Sequence, residues 1–109
     1  MVAVGRNCEA QPNRRDAPRE EVYHRTRATR PGSPAVPLQI VNISASGFMA
    51  RTEAALEPGA TLSPHFPVIG ERAAELRWAL GGRIGCQFRR PIDFPDYLEL
   101  LAALARNAD

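Results

Sequence analysis

The chain contains no lysine: all fourteen of its basic residues are arginine. Cysteine and histidine are nearly as scarce, with two of each. Cys8 and Cys86 lie far apart in sequence, and neither has a histidine at ligand spacing. A disulfide framework and a Cys/His metal site are thereby excluded. Both cysteines read as free thiols, with Cys86 inside the apolar run Ile84-Gly85-Cys86-Gln87-Phe88. His24 and His65 read as ordinary strand or loop residues. No serine, histidine and acid group together, and no glycine-rich loop opens a helix, so no nucleophile has a base to activate it. An enzyme is not expected. Aromatic residues make up 6% of the chain, fewer than single-strand nucleic-acid binders display for base stacking. No apolar run approaches the ~20 residues of a membrane helix. The apolar stretch before Gly5 is too short for a secretory signal, so the expected location is cytoplasmic.

What is present is unevenly distributed. The 109 residues allow one domain and one core. The net charge is +2, too small for broad nucleic-acid coating. Residues 1–30 hold seven arginines against four acids, a net of +3. Residues 31–109 hold seven against eight, a net of −1. The positive field therefore belongs to the leader and the segment after it.

Residues 1–18 lack periodicity and carry Gly5, Pro12, Asn13 and Pro18. They are expected to form an arm that is disordered without ligand. From Glu20 to Thr29, Val22, His24, Thr26 and Ala28 alternate with charged and polar residues, which predicts a first strand. Pro31-Gly32-Ser33-Pro34 is a turn. Val36–Ile43 predicts a second strand, with Leu38, Ile40 and, by alternation, Asn42 on one face. Ser44-Ala45-Ser46-Gly47 breaks it, and Phe48–Thr52 returns as its hairpin partner. Thr61–Val68 carries Pro64 and Pro67, which cannot donate to a ladder, so it is expected at an edge or split. In Glu71–Leu80 the set Ala74, Leu76, Trp78 and Leu80 is expected in the core. Gly81-Gly82 then turns the chain into Arg83–Phe88, with Ile84, Cys86 and Phe88 inward. Asp93 is an N-cap candidate for a final helix at about 94–106. Its apolar stripe would run through Phe94, Tyr97, Leu98, Leu101, Leu104 and Ala105. Six short strands need closure to protect their edges, which predicts a mainly β fold: a small six-stranded antiparallel β-barrel over residues 19–109, closed or flanked by a C-terminal α-helix and preceded by a flexible N-terminal arm.

Two short polar motifs stand out against this frame. Arg15-Asp16-Ala17-Pro18-Arg19 places two guanidinium forks in the leader. Such forks grip phosphate or the O6 and N7 of guanine, and stack on purine faces. Asn42-Ile43-Ser44-Ala45-Ser46-Gly47 ends a strand with amide and hydroxyl groups that both donate and accept. Gly47 tolerates positive φ and close approach of other atoms. Taken singly, the first motif is a solvated basic arm and the second a polar hairpin turn.

Their order resembles the signature of PilZ domains, the bacterial receptors for cyclic di-GMP. That family has Arg-x-x-x-Arg in a leader before the first strand and Asp/Asn-x-Ser-x-x-Gly in the following hairpin. Trp78–Phe88, with Gly85-Cys86-Gln87-Phe88, is similar to its closing Trp…Gly-x-x-Phe hairpin. The resemblance covers about residues 13–105. It implies that Arg15 and Arg19 bind guanine and phosphate groups as the arm folds over the ligand. Asn42 and Ser44 would bind the other guanine, and Gly47 would keep the turn tight. Arg14 would stack where two intercalated ligand molecules bind. The implied activity is non-enzymatic reception of cyclic di-GMP, with no cofactor or metal, and transmission to a protein partner. A PilZ-like adaptor that does not bind the nucleotide, and a small nucleic-acid-binding barrel, are the alternatives.

Overall fold

Strict alternation of apolar and polar residues writes most of the sheet. In the computed structural model, which describes residues 19–107, β1 (Glu20–Arg30) and β2 (Ser33–Ser44) form a long antiparallel hairpin. β3 (Gly47–Arg51) follows β2 directly. β4 (Thr61–Phe66), the two-residue β5 (Gly70–Glu71), β6 (Ala74–Leu80) and β7 (Arg83–Phe88) complete the sheet. The helix α1 (Phe94–Asn107) ends the described chain. Neighbours run β1-β2-β3-β7-β6-β4, and β4 pairs back onto β1, so six antiparallel strands close into a barrel. Closure removes the open edges that would template aggregation. β5 pairs with β4 alone.

The seam between β1 and β4 holds only two residue pairs, Ala28 with Pro64 and Thr29 with Ser63. Side chains extend it. The Thr26 hydroxyl and the His24 Nε2–H both donate to the His65 carbonyl, at 2.7 and 3.2 Å. Of the two arrangements expected from the sequence, an edge or a split strand, the structure shows the second. Pro64 is buried in a strand with three partners. The missing N–H is accommodated because β4 pairs with β6 through Thr61 and Leu62 and with β5 through His65 and Phe66, so the ladder is interrupted between them. Past Phe66 the chain leaves the strand, and Val68 takes a φ of 72° inside a tight turn closed by Ile69 N–H on the Pro67 carbonyl.

Phe48, Phe66 and Phe88 meet inside the barrel with ring centroids 5.6–6.1 Å apart. Leu38, Ile40, Leu62, Leu76 and Ile84 pack round them. Burial pushes the Cys86 thiol up to about 12, so it behaves as a small apolar residue. The helix lies on this core through Tyr97, Leu101 and Leu104 of the expected stripe, but rotated so that Phe94, Leu98 and Ala105 face out. Tyr97, Leu100, Ala103 and Leu104 are buried, whereas Phe94 is 70% exposed and Leu98 49% exposed. The apolar stripe is wider than the surface it covers. The Tyr97 hydroxyl donates to the Ile43 carbonyl at 3.1 Å and fixes the rotation.

Two β-bulges decide what faces outward. Ile40 pairs with Ala50 and Asn42 with Met49, leaving Val41 extra on β2. Leu76 pairs with Cys86 and Trp78 with Gly85, leaving Arg77 extra on β6. Each bulge moves the next residue to the opposite face. Asn42 therefore does not share the face of Leu38 and Ile40. Trp78 and Leu80 are not core residues either: they are 41% and 79% exposed.

Candidate functional site

The Asn42–Gly47 motif is a short corner whose parts hold one another. Ala45 and Ser46 form the turn between β2 and β3. The Ser44 side chain is buried, and its Oγ lies 3.1 Å from Ser46 Oγ and accepts from the Ser46 N–H at 3.2 Å. Ser44 thus organises the turn from within. Gly47 is needed for space rather than for positive φ, since a Cβ there would overlap the Cys86 carbonyl oxygen. The corner is also braced from outside. Phe88 N–H donates to the Ser46 carbonyl at 2.9 Å, and Ile92 N–H to the Ala45 carbonyl at 2.8 Å.

Asn42 stands at the outer rim of this corner, half-buried. Its Nδ2 lies 3.6 Å from Met49 Sδ. Its Oδ1 accepts from Arg19 Nη1 at 2.8 Å. That hydrogen bond joins the two polar motifs, 23 positions apart in sequence. The charges of Arg19 and Glu20 are also felt at the helix. Burial and the Glu20 carboxylate raise the Tyr97 phenol above its ordinary range, and Arg19 partly offsets them. Arg14 and Arg15, the remaining candidate residues, lie outside the described residues.

The bulges align Asn42 with a residue that alternation assigns to the core. Cα partners run Asn42–Met49–Gly85–Trp78 across β2, β3, β7 and β6. All four lie on the outer side of the barrel wall, because Phe48, Ala50, Ile84 and Cys86 beside them point inward. The Trp78 indole lies over Gly85, where a Cβ would overlap its ring. Gly85 is thus the cleared position on which the only tryptophan of the chain rests. The row offers one amide and one indole on a braced surface, with a guanidinium already on the amide. Among the described residues no group of three or more His, Cys, Asp or Glu is placed to hold a metal ion.

A small closed barrel with a helix across it carries a polar turn beside an arginine at the start of its first strand. Residues 13–106 match the family model of the PilZ domain, and the chain belongs to that family. PilZ domains are generally receptors for cyclic di-GMP and are typically non-enzymatic. No curated protein matches the chain. Among the described residues no helix is long and apolar enough to cross a membrane.

Proposed function

We propose that the protein is a non-enzymatic receptor that binds cyclic di-GMP at the Arg19–Asn42 junction and passes the signal to a protein partner. The observation that carries this reading is the 2.8 Å hydrogen bond from Arg19 to Asn42, which joins the arginine motif to the hairpin motif on the outer wall. In the proposal, Asn42 Oδ1 accepts from the N1–H and N2–H edge of one guanine. Arg19 then exchanges its amide partner for phosphate or for guanine O6 and N7. Arg14 and Arg15 add cations from the segment preceding the barrel. Ser44 and Gly47 act by holding the turn. Trp78 supplies a flat face, against which a purine stacks. No cofactor takes part.

Asn42 is the weakest element of this set. It brings one carbonyl and no charge, and Arg19 already occupies that carbonyl. This favours one second reading, a PilZ adaptor whose partner binding is indifferent to the nucleotide.

The single tryptophan gives a direct test. Cyclic di-GMP is expected to quench and shift Trp78 emission saturably, while GMP at equal guanine concentration gives a weaker, non-saturating change. Trp78→Phe should lose the signal but keep most of the affinity. A flat titration of the folded wild-type protein would leave the adaptor reading standing.

A further inference from the structure

A second row of the same outer wall carries three arginines among its five residues. Arg25 pairs with Gln39, Gln39 with Arg51, Arg51 with Arg83, and Arg83 with Leu80. Arg25, Arg51 and Arg83 are all exposed, and Leu80 at the end of the row is 79% exposed. Among the described residues the one ion pair is Arg77 with Glu75, at 3.7 Å. None of the three arginines of the row forms an ion pair with a described carboxylate.

The row is also shaped. A groove of about 540 Å³ is lined by Arg25, Gln39 and Arg51 together with Pro37, Leu38 and Ala54. Glu53 is the one acid in its lining. Two of its walls are held in place. The Arg25 Nε donates to the Tyr23 hydroxyl at 2.9 Å, with the guanidinium 5.7 Å from the ring centre. Beside Arg51, the Thr52 hydroxyl donates to the Pro37 carbonyl at 3.0 Å, and the Thr52 N–H donates to the Gly82 carbonyl at 3.0 Å. An arginine anchored at one nitrogen loses less freedom when the other nitrogens bind.

We infer that this row is a docking surface for an extended acidic segment of a protein partner, with one apolar residue at its end. Three strand spacings of ~4.8 Å set Arg25 and Arg83 roughly 14–15 Å apart, which about five extended residues span. Carboxylates on one face of such a segment meet the arginines, and its apolar end meets Leu80. Arginine is enriched at protein interfaces and among their energetically dominant residues. A single-stranded nucleic acid fits less well: the one aromatic side chain shown in contact with the row, Tyr23, is already engaged by Arg25. This surface stands independently of the dinucleotide reading.

The test uses the full chain and a fluorescein-labelled peptide, Leu-Glu-Asp-Glu-Asp-Glu, read by anisotropy at low and physiological salt. Its amide counterpart, Leu-Gln-Asn-Gln-Asn-Gln, and an oligothymidylate of about eight nucleotides are the comparison probes. The acidic peptide should bind, and weaken as salt screens the contacts. Arg51→Glu should weaken it by about tenfold or more, and Arg51→Gln together with Arg83→Gln by a similar factor. Arg106→Glu, at the far end of α1, should stay within about twofold. Thermal unfolding establishes that each variant is folded. The inference is overturned by any of four results: no binding of the acidic peptide, equal binding of its amide counterpart, equal losses in Arg51→Glu and Arg106→Glu, or tighter binding of the oligothymidylate.

Discussion

Arg19→Ala should weaken cyclic di-GMP binding by about 5- to 150-fold while leaving the barrel folded. The range comes from the ~1–3 kcal/mol carried by a bidentate arginine–guanine contact. Arg19 is exposed at the entrance to β1, and its one side-chain bond among the described residues goes to Asn42. Its removal therefore costs the fold little. Two opposing effects bear on the ligand. The variant frees Asn42 Oδ1, which favours binding, and deletes the cation nearest to it, which opposes binding. The second wins, because a single exposed hydrogen bond from the guanidinium to the amide is worth less than a bidentate fork on phosphate or guanine. Arg19→Lys should recover only part of the loss, since an ammonium has no fork. Calorimetric titration of the two variants measures both effects. An affinity equal to or above wild type in Arg19→Ala would mean that Arg19 acts as a plug on Asn42 and not as a ligand contact.

The largest loss of stability is expected from Phe48→Ala, roughly 3–5 kcal/mol. Phe48 is fully buried, pairs with Ile43 and Cys86, and holds Phe66 and Phe88 at 6.1 and 5.6 Å. The barrel wall cannot collapse into the space because closed strands fix its diameter. Domains of this size hold about 5–15 kcal/mol in all, so one side chain carries a large share. Trp78→Ala removes a larger side chain but should cost less, because the indole is 41% exposed on the outer wall. Denaturant unfolding of the two variants ranks them. The reverse order would place Trp78 inside and overturn the bulge at Arg77.

That bulge marks the limit of what the residue pattern makes legible. The closed barrel, its strands and the terminal helix are readable from alternation, turn residues and one helical stripe. The faces of Asn42 and Trp78 are not. Period-two alternation assumes an unbroken pleat, and one extra residue at Val41 or Arg77 reverses the face of the next side chain. Nothing in the residue types there announces the extra residue. Gly85 was the available signal: an interior strand glycine marks close approach by another group, and here that group is Trp78. Pro64 signalled the split correctly but not its place, since a ladder interrupted beside the proline lets it lie inside the barrel. On α1, Leu100 was missed because the apolar residues span too broad an arc for spacing to select a face. The tyrosine hydroxyl that selects it reaches a carbonyl far away in sequence. Ser44 was legible as a polar turn residue, but not as one whose hydroxyl is turned inward.

The central claim is that the Arg19–Asn42 junction belongs to a cyclic di-GMP site. Two arginines alone do not suffice for it. At ~1–3 kcal/mol each, they fall short of the about 8 kcal/mol of micromolar binding. The outer-wall row must supply the rest. Isothermal titration of the wild-type chain with cyclic di-GMP tests this directly. The account predicts saturable heat with a dissociation constant on the order of micromolar, at one ligand per chain, or two if Arg14 stacks between intercalated molecules. Absence of heat from a folded protein, at ligand concentrations reaching about a millimolar, would contradict it.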